Sequence, residues 1–175
     1  MSVENDVISG KTWDDFCDAL KRAGKQVMRP EAPVTELDRA EGWRYLTRLL
    51  RIGLEMHLEF ADPDFPGFLA PSHETGKIGA DNPDNLYLMG RLNGRNEYVI
   101  KGTRGTISYL SFGTQKGGYE TNGKMEQTGF LDAADIKLDA DGRFEIVLSQ
   151  EKQPGNWVRI EPDTNSVIVR QTFKD

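Results

Sequence analysis

The first sixty residues carry apolar positions at helical spacing. Trp13, Phe16, Cys17, Leu20, Ala23 and Val27 recur at three- and four-residue steps, which places them on one face of an amphipathic helix. Thr12 followed by Asp15 reads as the capping arrangement at its start. Pro30 and Pro33 stop the pattern and form a linker, and Thr35 with Asp38 marks a second start. Trp43, Leu46, Leu50, Leu54 and His57 then share a stripe, with Glu36, Arg39, Arg48, Arg51, Glu55 and Glu59 on the remaining surface. This second helix is expected to reach about Phe60, where Asp62-Pro63 and Phe65-Pro66 end it.

Beyond this point the period changes from 3.6 to 2. Leu86 to Met89, Glu97 to Ile100, Thr106 to Leu110, Phe144 to Leu148, Trp157 to Ile160 and Val167 to Thr172 read as strands. Asn93-Gly94, Asp141-Gly142 and Pro154-Gly155 supply turn chemistry between them. Short strands with frequent turns and no intervening helices predict an α+β chain. A short helical N-terminal segment over residues 1–80 leads into an antiparallel β-sandwich, jelly-roll-like, over residues 81–175, the two forming one cooperative domain.

Length and charge narrow the classes. A chain of 175 residues suits one domain with a real core. Its formal net charge of −6, from 22 basic and 28 acidic side chains, opposes a phosphate-tracking surface, so nucleic acid is not an expected partner. Cys17 is the sole cysteine, which removes an intramolecular disulfide and a thiolate metal cluster and suits a reducing compartment. Glu4 and Asp6 stand where a signal peptide would carry basic residues, and no apolar run approaches ~18 residues. The expectation is a cytoplasmic protein with no membrane partner.

The segments "GWRYLTRLL", "HETGKIGADNPDNLYL", "YVIKGTRGTISYLSFGTQ", "DGRFEIVLS" and "PGNWVRIEPDTNSVIVRQTF" occur in this order between about residues 40 and 173. Together they resemble the family called domain of unknown function 1214, often found beside domain of unknown function 1254. The resemblance implies a helical part leading into a β-sandwich and no established reaction. It also implies a setting in bacteria that degrade hydrophobic or aromatic compounds. Related chains continue past the "VRQTF" strand, whereas this sequence stops at Asp175, which reads as a fragment or a small stand-alone variant.

The stretch "SHETGKIGADNPDNLYLMGRL", residues 72–92, concentrates the chemistry. His73 with Glu74 has the composition of a general base and its carboxylate, although neighbours in extended chain point to opposite faces. Asp81-Asn82-Pro83-Asp84-Asn85 is oxygen-rich, but Pro83 and Leu92 occupy positions where an EF-hand needs ligands. The plainer account is a polar junction in which Asp and Asn bond to nearby backbone. His57 and His73 converging with Asp62 or Asp64 would suit a metal, yet the spacing matches no metal motif, and no metal is expected. "GKIGADN", "GTRGT" and "GTQKGG" lack the order of a phosphate loop. Arg104, beside glycines at a strand end, could clamp a carboxylate or sulfate, the plainer account being a surface ion pair.

Two functions fit these residues. One is an enzyme of small hydrophobic or aromatic compound metabolism, using acid–base chemistry without an organic cofactor. His73, Glu74, Asp81 and Tyr109 would be its catalytic groups, with Arg104, Tyr87, Trp157 and His57 binding the ligand. The other is a non-catalytic binding module or accessory subunit for a carbohydrate or protein partner, its strand aromatics forming a platform. The apolar strand Val167 to Phe173, close to a terminus, is expected to expose an edge and drive homo-oligomerisation or pairing with a second chain.

Overall fold

A computed structural model describes residues 3–79, 81–118, 121 and 123–174. The chain divides into two compact units, Met1–Leu50 and Arg51–Asp175.

The first unit is helical, with α1 (Val3–Ile8), α2 (Lys11–Gly24) and most of α3 (Glu36–Leu54). Thr12 does not cap α2. A helix absent from the sequence reading, α1, precedes it, and α2 restarts from Gly10 at φ 79° with no side-chain cap. The Trp13 and Asp14 amides bond back to the Gly10 carbonyl at 3.0 and 3.2 Å, and that backbone turn does the work expected of Thr12. The second start is as expected: the Asp38 amide donates to Thr35 Oγ1 at 3.2 Å and the Thr35 hydroxyl donates to Asp38 Oδ2 at 2.6 Å. Within this unit Arg39 donates to the Val27 carbonyl, and Gly24 lies against the Trp43 ring.

The second unit opens with the end of α3, where Ile52 is fully buried, and a π-helical turn over Glu55–Glu59. Strands β1 (Asn85–Arg91), β2 (Tyr98–Thr103), β3 (Tyr109–Gly118), β4 (Lys124–Leu131), β5 (Arg143–Ser149), β6 (Asn156–Arg159) and β7 (Thr164–Thr172) follow. They form a four-stranded sheet in the order β1-β7-β3-β4 and a three-stranded sheet in the order β2-β5-β6. The chain is therefore mixed α+β, as expected. Neighbours pair antiparallel except β5 with β6, which run parallel.

Alternation along each strand sends one set of side chains between the sheets. Leu110, Phe112, Val167 and Val169 from the larger sheet meet Ile146, Leu148 and Val158 from the smaller in one buried cluster. Phe112 and Phe144 pack edge to face across it, with ring centroids 5.5 Å apart. The expected edge at Val167 to Phe173 is not one. Strand β7 pairs with β1 on one side and β3 on the other. The basis for self-association through that strand is thereby removed.

One end of this unit is held by a close approach. A Cβ at Gly94 would overlap the Glu161 carbonyl oxygen, so the loop between β1 and β2 reaches the β6–β7 turn only because residue 94 has no side chain.

Candidate functional site

The junction of residues 72–85 is built as its composition implies. The Asp84 amide donates to Asn82 Oδ1 at 3.0 Å and the Asn85 amide to the Asn82 carbonyl at 3.1 Å, closing a tight turn into β1. Upstream, His73 and Gly76 exchange backbone bonds of 2.7 and 3.1 Å. Gly76 is pressed against the Ile52 side chain.

This junction brings three of the four proposed catalytic residues into one open cleft of about 490 Å³, lined by His73, Glu74, Lys77, Asp81, Asn85 and Phe173. Their chemistry there is constrained. The Thr75 amide lies 3.3 Å from His73 Nδ1 and the Arg51 guanidinium 3.4 Å from His73 Nε2, and Arg51 also donates to the Thr75 carbonyl at 3.1 Å. Whichever ring nitrogen holds the lone pair of a neutral imidazole therefore meets a donor, and His73 offers no free lone pair. Asp81 accepts from Lys77 Nζ at 2.9 Å. The Lys77 ammonium, followed by the Asp81 backbone amide, holds its carboxyl below the ordinary carboxylate range. Asp81 is an anchored anion, and Glu74 is exposed.

The remaining sequence candidates lie elsewhere. The Tyr109 hydroxyl donates to Asp132 at 2.9 Å. Arg104 spends its guanidinium on its own turn, donating to the Ile107 and Ser108 carbonyls at 3.0 and 2.9 Å, and so is a backbone staple. His57 is exposed rather than buried on the apolar stripe, because the helix widens into the π-helical turn there. Its Nδ1 accepts from Arg91 at 2.7 Å. His57 and His73 each face a different arginine, and Asp64 accepts from Asn96 at 2.7 Å. Among the described residues no group of His, Cys, Asp and Glu is placed to hold a metal ion. Tyr87 and Tyr109 share the outer face of the four-stranded sheet. Trp157 lies on the three-stranded sheet, its Nε1 donating to Ser149 at 3.0 Å, so these aromatics form no common platform.

A second cleft was not anticipated. It opens where the two sheets part, between the β1 and β2 edges, and has a volume of about 580 Å³. Its floor is core: Leu92, Ile100, Leu148 and Val167 line it, of which Leu148 is 0% and Val167 2% exposed. Phe68 and Gly90 form one wall, and Asp64, Asn96, Glu97 and Lys101 the polar lip. The Tyr98 hydroxyl is fixed at the mouth, donating to the Pro63 carbonyl at 3.0 Å and accepting from the Asn93 amide at 2.7 Å. Volume, apolar floor and a few oriented polar groups are the attributes of a small-molecule site. The sequence signal was faint, since each floor residue is an ordinary inward strand position.

The crystal structure of an uncharacterised protein from Burkholderia cenocepacia is 64% identical over 98% of this chain, with a TM-score of 0.94. The present chain spans 48% of that chain's length. A Vibrio parahaemolyticus protein, 19% identical over 53% of this chain and 27% of its own, has a TM-score of 0.42, too low to support an argument. Neither a family model nor a curated protein matches the sequence. No helix among the described residues is long and apolar enough to cross a membrane.

Proposed function

We propose that this chain is a non-catalytic binding module that takes a small apolar molecule into the cleft between the β1 and β2 edges. One observation carries the reading: the cleft reaches residues of the hydrophobic core itself, Leu148 and Val167, at a volume of about 580 Å³. A ligand seated there covers apolar surface at roughly 25 cal/mol per Å² while its polar end meets Asn96, Glu97 or Lys101 at the lip. Of the partners considered from sequence, a small molecule suits this cleft better than a carbohydrate, which needs polar walls, or a protein, which needs a broad face.

With this reading go a jelly-roll-like classification of the sandwich, membership of the domain of unknown function 1214 family, and a cytoplasmic setting. The acid–base enzyme stands as a second reading on one observation, the convergence of His73, Glu74 and Asp81 on one cleft. The occupied imidazole and the ion-paired Asp81 weigh against it.

Titration with N-phenyl-1-naphthylamine, an uncharged apolar fluorophore, tests the proposal. Saturable binding is expected, with NMR shifts at the methyls of Leu92, Ile100, Leu148 and Val167 and none at Leu131. Gly90→Val, which fills the cleft wall, weakens binding, and His73→Ala leaves it unchanged. Absence of saturation, or shifts confined to other methyls, would overturn it.

A further inference from the structure

The outer face of the four-stranded sheet holds donors that lack acceptors. Alternation sets Leu88, Leu110, Phe112, Val167 and Val169 toward the core, so Tyr87, Arg170 and Ser111 share the opposite face. The register places them in one row across three strands: Tyr87 opposite Arg170, and Arg170 opposite Ser111. Asn85, Thr172 and Tyr109 form a polar row on one side, and Met89, Ile168 and Gly113 the row on the other.

Two observations about this row are independent. Ser111 is 0% exposed, and its Oγ has no hydrogen-bond partner, a state that costs about 1–3 kcal/mol for a buried hydroxyl. Arg170 is half-buried, yet its guanidinium has no hydrogen-bond or ion-pair partner among the described residues. Its Nη1 lies 3.8 Å from where a Gly113 Cβ would stand, so the guanidinium reaches over β3 and the absent side chain leaves room there. The nearby carboxylate is already engaged: Asp132 accepts from the Tyr109 hydroxyl at 2.9 Å and the Ala134 amide at 3.1 Å. Tyr87 adds a hydroxyl that accepts from Asn85 at 3.1 Å, its own proton having no acceptor among the described residues.

We propose that Arg170 and Ser111 form a binding site for the carboxylate of a small organic acid. One guanidinium and one hydroxyl match a single negative charge on two coplanar oxygens, the geometry a guanidinium fork recognises. A phosphate dianion would need more cationic partners and would sit beside the ionised Asp132. Ile168 and Phe130, which flank Gly113, receive the apolar body of the acid. Ser111 is closed to solvent in the unliganded chain, and the long cross-strand Arg170 is the neighbour that turns to meet the anion and open it.

The test is a ¹H–¹⁵N NMR titration with sodium benzoate at constant ionic strength, with sodium chloride and inorganic phosphate as parallel arms. Saturable shifts are expected for the amides of Ser111, Gly113, Ile168 and Arg170. Arg170→Gln is expected to weaken benzoate binding about tenfold and Ser111→Ala a few-fold, while Arg170→Lys, which keeps the charge and loses the fork, falls between wild type and Arg170→Gln. The conservative lysine variant keeps the test decisive if the glutamine variant folds poorly. The site is overturned by an absence of saturable shifts with benzoate, by the same shifts with chloride, by phosphate binding more tightly than benzoate, or by unchanged affinity in the variants.

Discussion

The Thr114 hydroxyl donates to the Arg159 carbonyl at 2.7 Å, tying β3 of one sheet to β6 of the other. It is one step of a buried relay. The Glu161 amide donates to Thr164 Oγ1 at 2.8 Å, Thr164 to Thr128 at 2.9 Å and Thr128 to Thr114 at 3.0 Å. Every hydroxyl both gives and receives, so no buried polar atom in the chain of bonds is left unmatched. Thr114→Val keeps the shape but strands the Thr128 hydroxyl and removes the donor to Arg159. The expected loss is about 1–3 kcal/mol, read from urea denaturation, whereas Thr114→Ser retains most of the stability. Equal stability of the valine variant would show the relay to be dispensable.

Gly129, opposite Thr114 in register, is what lets the sheets meet at this seam. A Cβ there would overlap the Arg159 carbonyl oxygen. Gly129→Ala must push β6 away and lengthen the Thr114 bond, so a loss of about 1–3 kcal/mol or more is expected. It should be far from additive with Thr114→Val, because both act on one contact. A double-mutant cycle with a coupling energy near zero would contradict this.

Much of the fold is legible in the chain because its cause is local. Thr35 and Asp38 are four-residue chemistry, and five of the strands show in period-2 alternation or β-branched runs, whereas the strand expected over Thr106 to Leu110 begins only at Tyr109 and runs on to Gly118. Strand β4, Lys124–Leu131, was not expected, since five of its residues are exposed and its sequence KMEQTGFL alternates weakly. Its place follows from pairing with β3, a non-local cause. The apolar run Val167 to Phe173 was legible as a strand but not as an interior one, because position in a sheet depends on partners far away in sequence, such as Thr114 and Gly90 for Val167. The site was half legible for the same reason. His73, Glu74 and Asp81 are close in sequence and so share a cleft. Their states depend on Arg51 and Lys77, and the β1–β2 cleft is assembled from four separate segments that no motif links.

Asp132 supplies a pH-dependent prediction. The Ala134 amide, and after it the Tyr109 hydroxyl, hold its carboxyl below the ordinary value of 3.8. Tyr109→Phe removes the smaller of these effects only. Carboxyl-carbon NMR titration should find the Asp132 pKa of the variant raised but still below that of an unperturbed aspartate. A full return to the ordinary value would make the tyrosine the main cause.

Lys77 and Asp81 decide between a binding cleft and an acid–base one. The ammonium bond lowers the Asp81 pKa below the ordinary 3.8, so folding favours the ionised form. The stability this contributes is fully present above the unfolded-state value and is lost as pH falls through the folded-state value. Lys77→Met should therefore raise the Asp81 pKa and reduce stability at pH 6. The difference from wild type should disappear at the most acidic pH, where both proteins carry a protonated Asp81. His73→Ala should leave that acid limb unchanged, because the Asp81 carboxylate is held by Lys77. A general acid working near neutral pH needs the opposite shift. An Asp81 pKa found above the ordinary carboxylate range in wild type would overturn this account and restore the catalytic assignment of the His73–Glu74–Asp81 cleft.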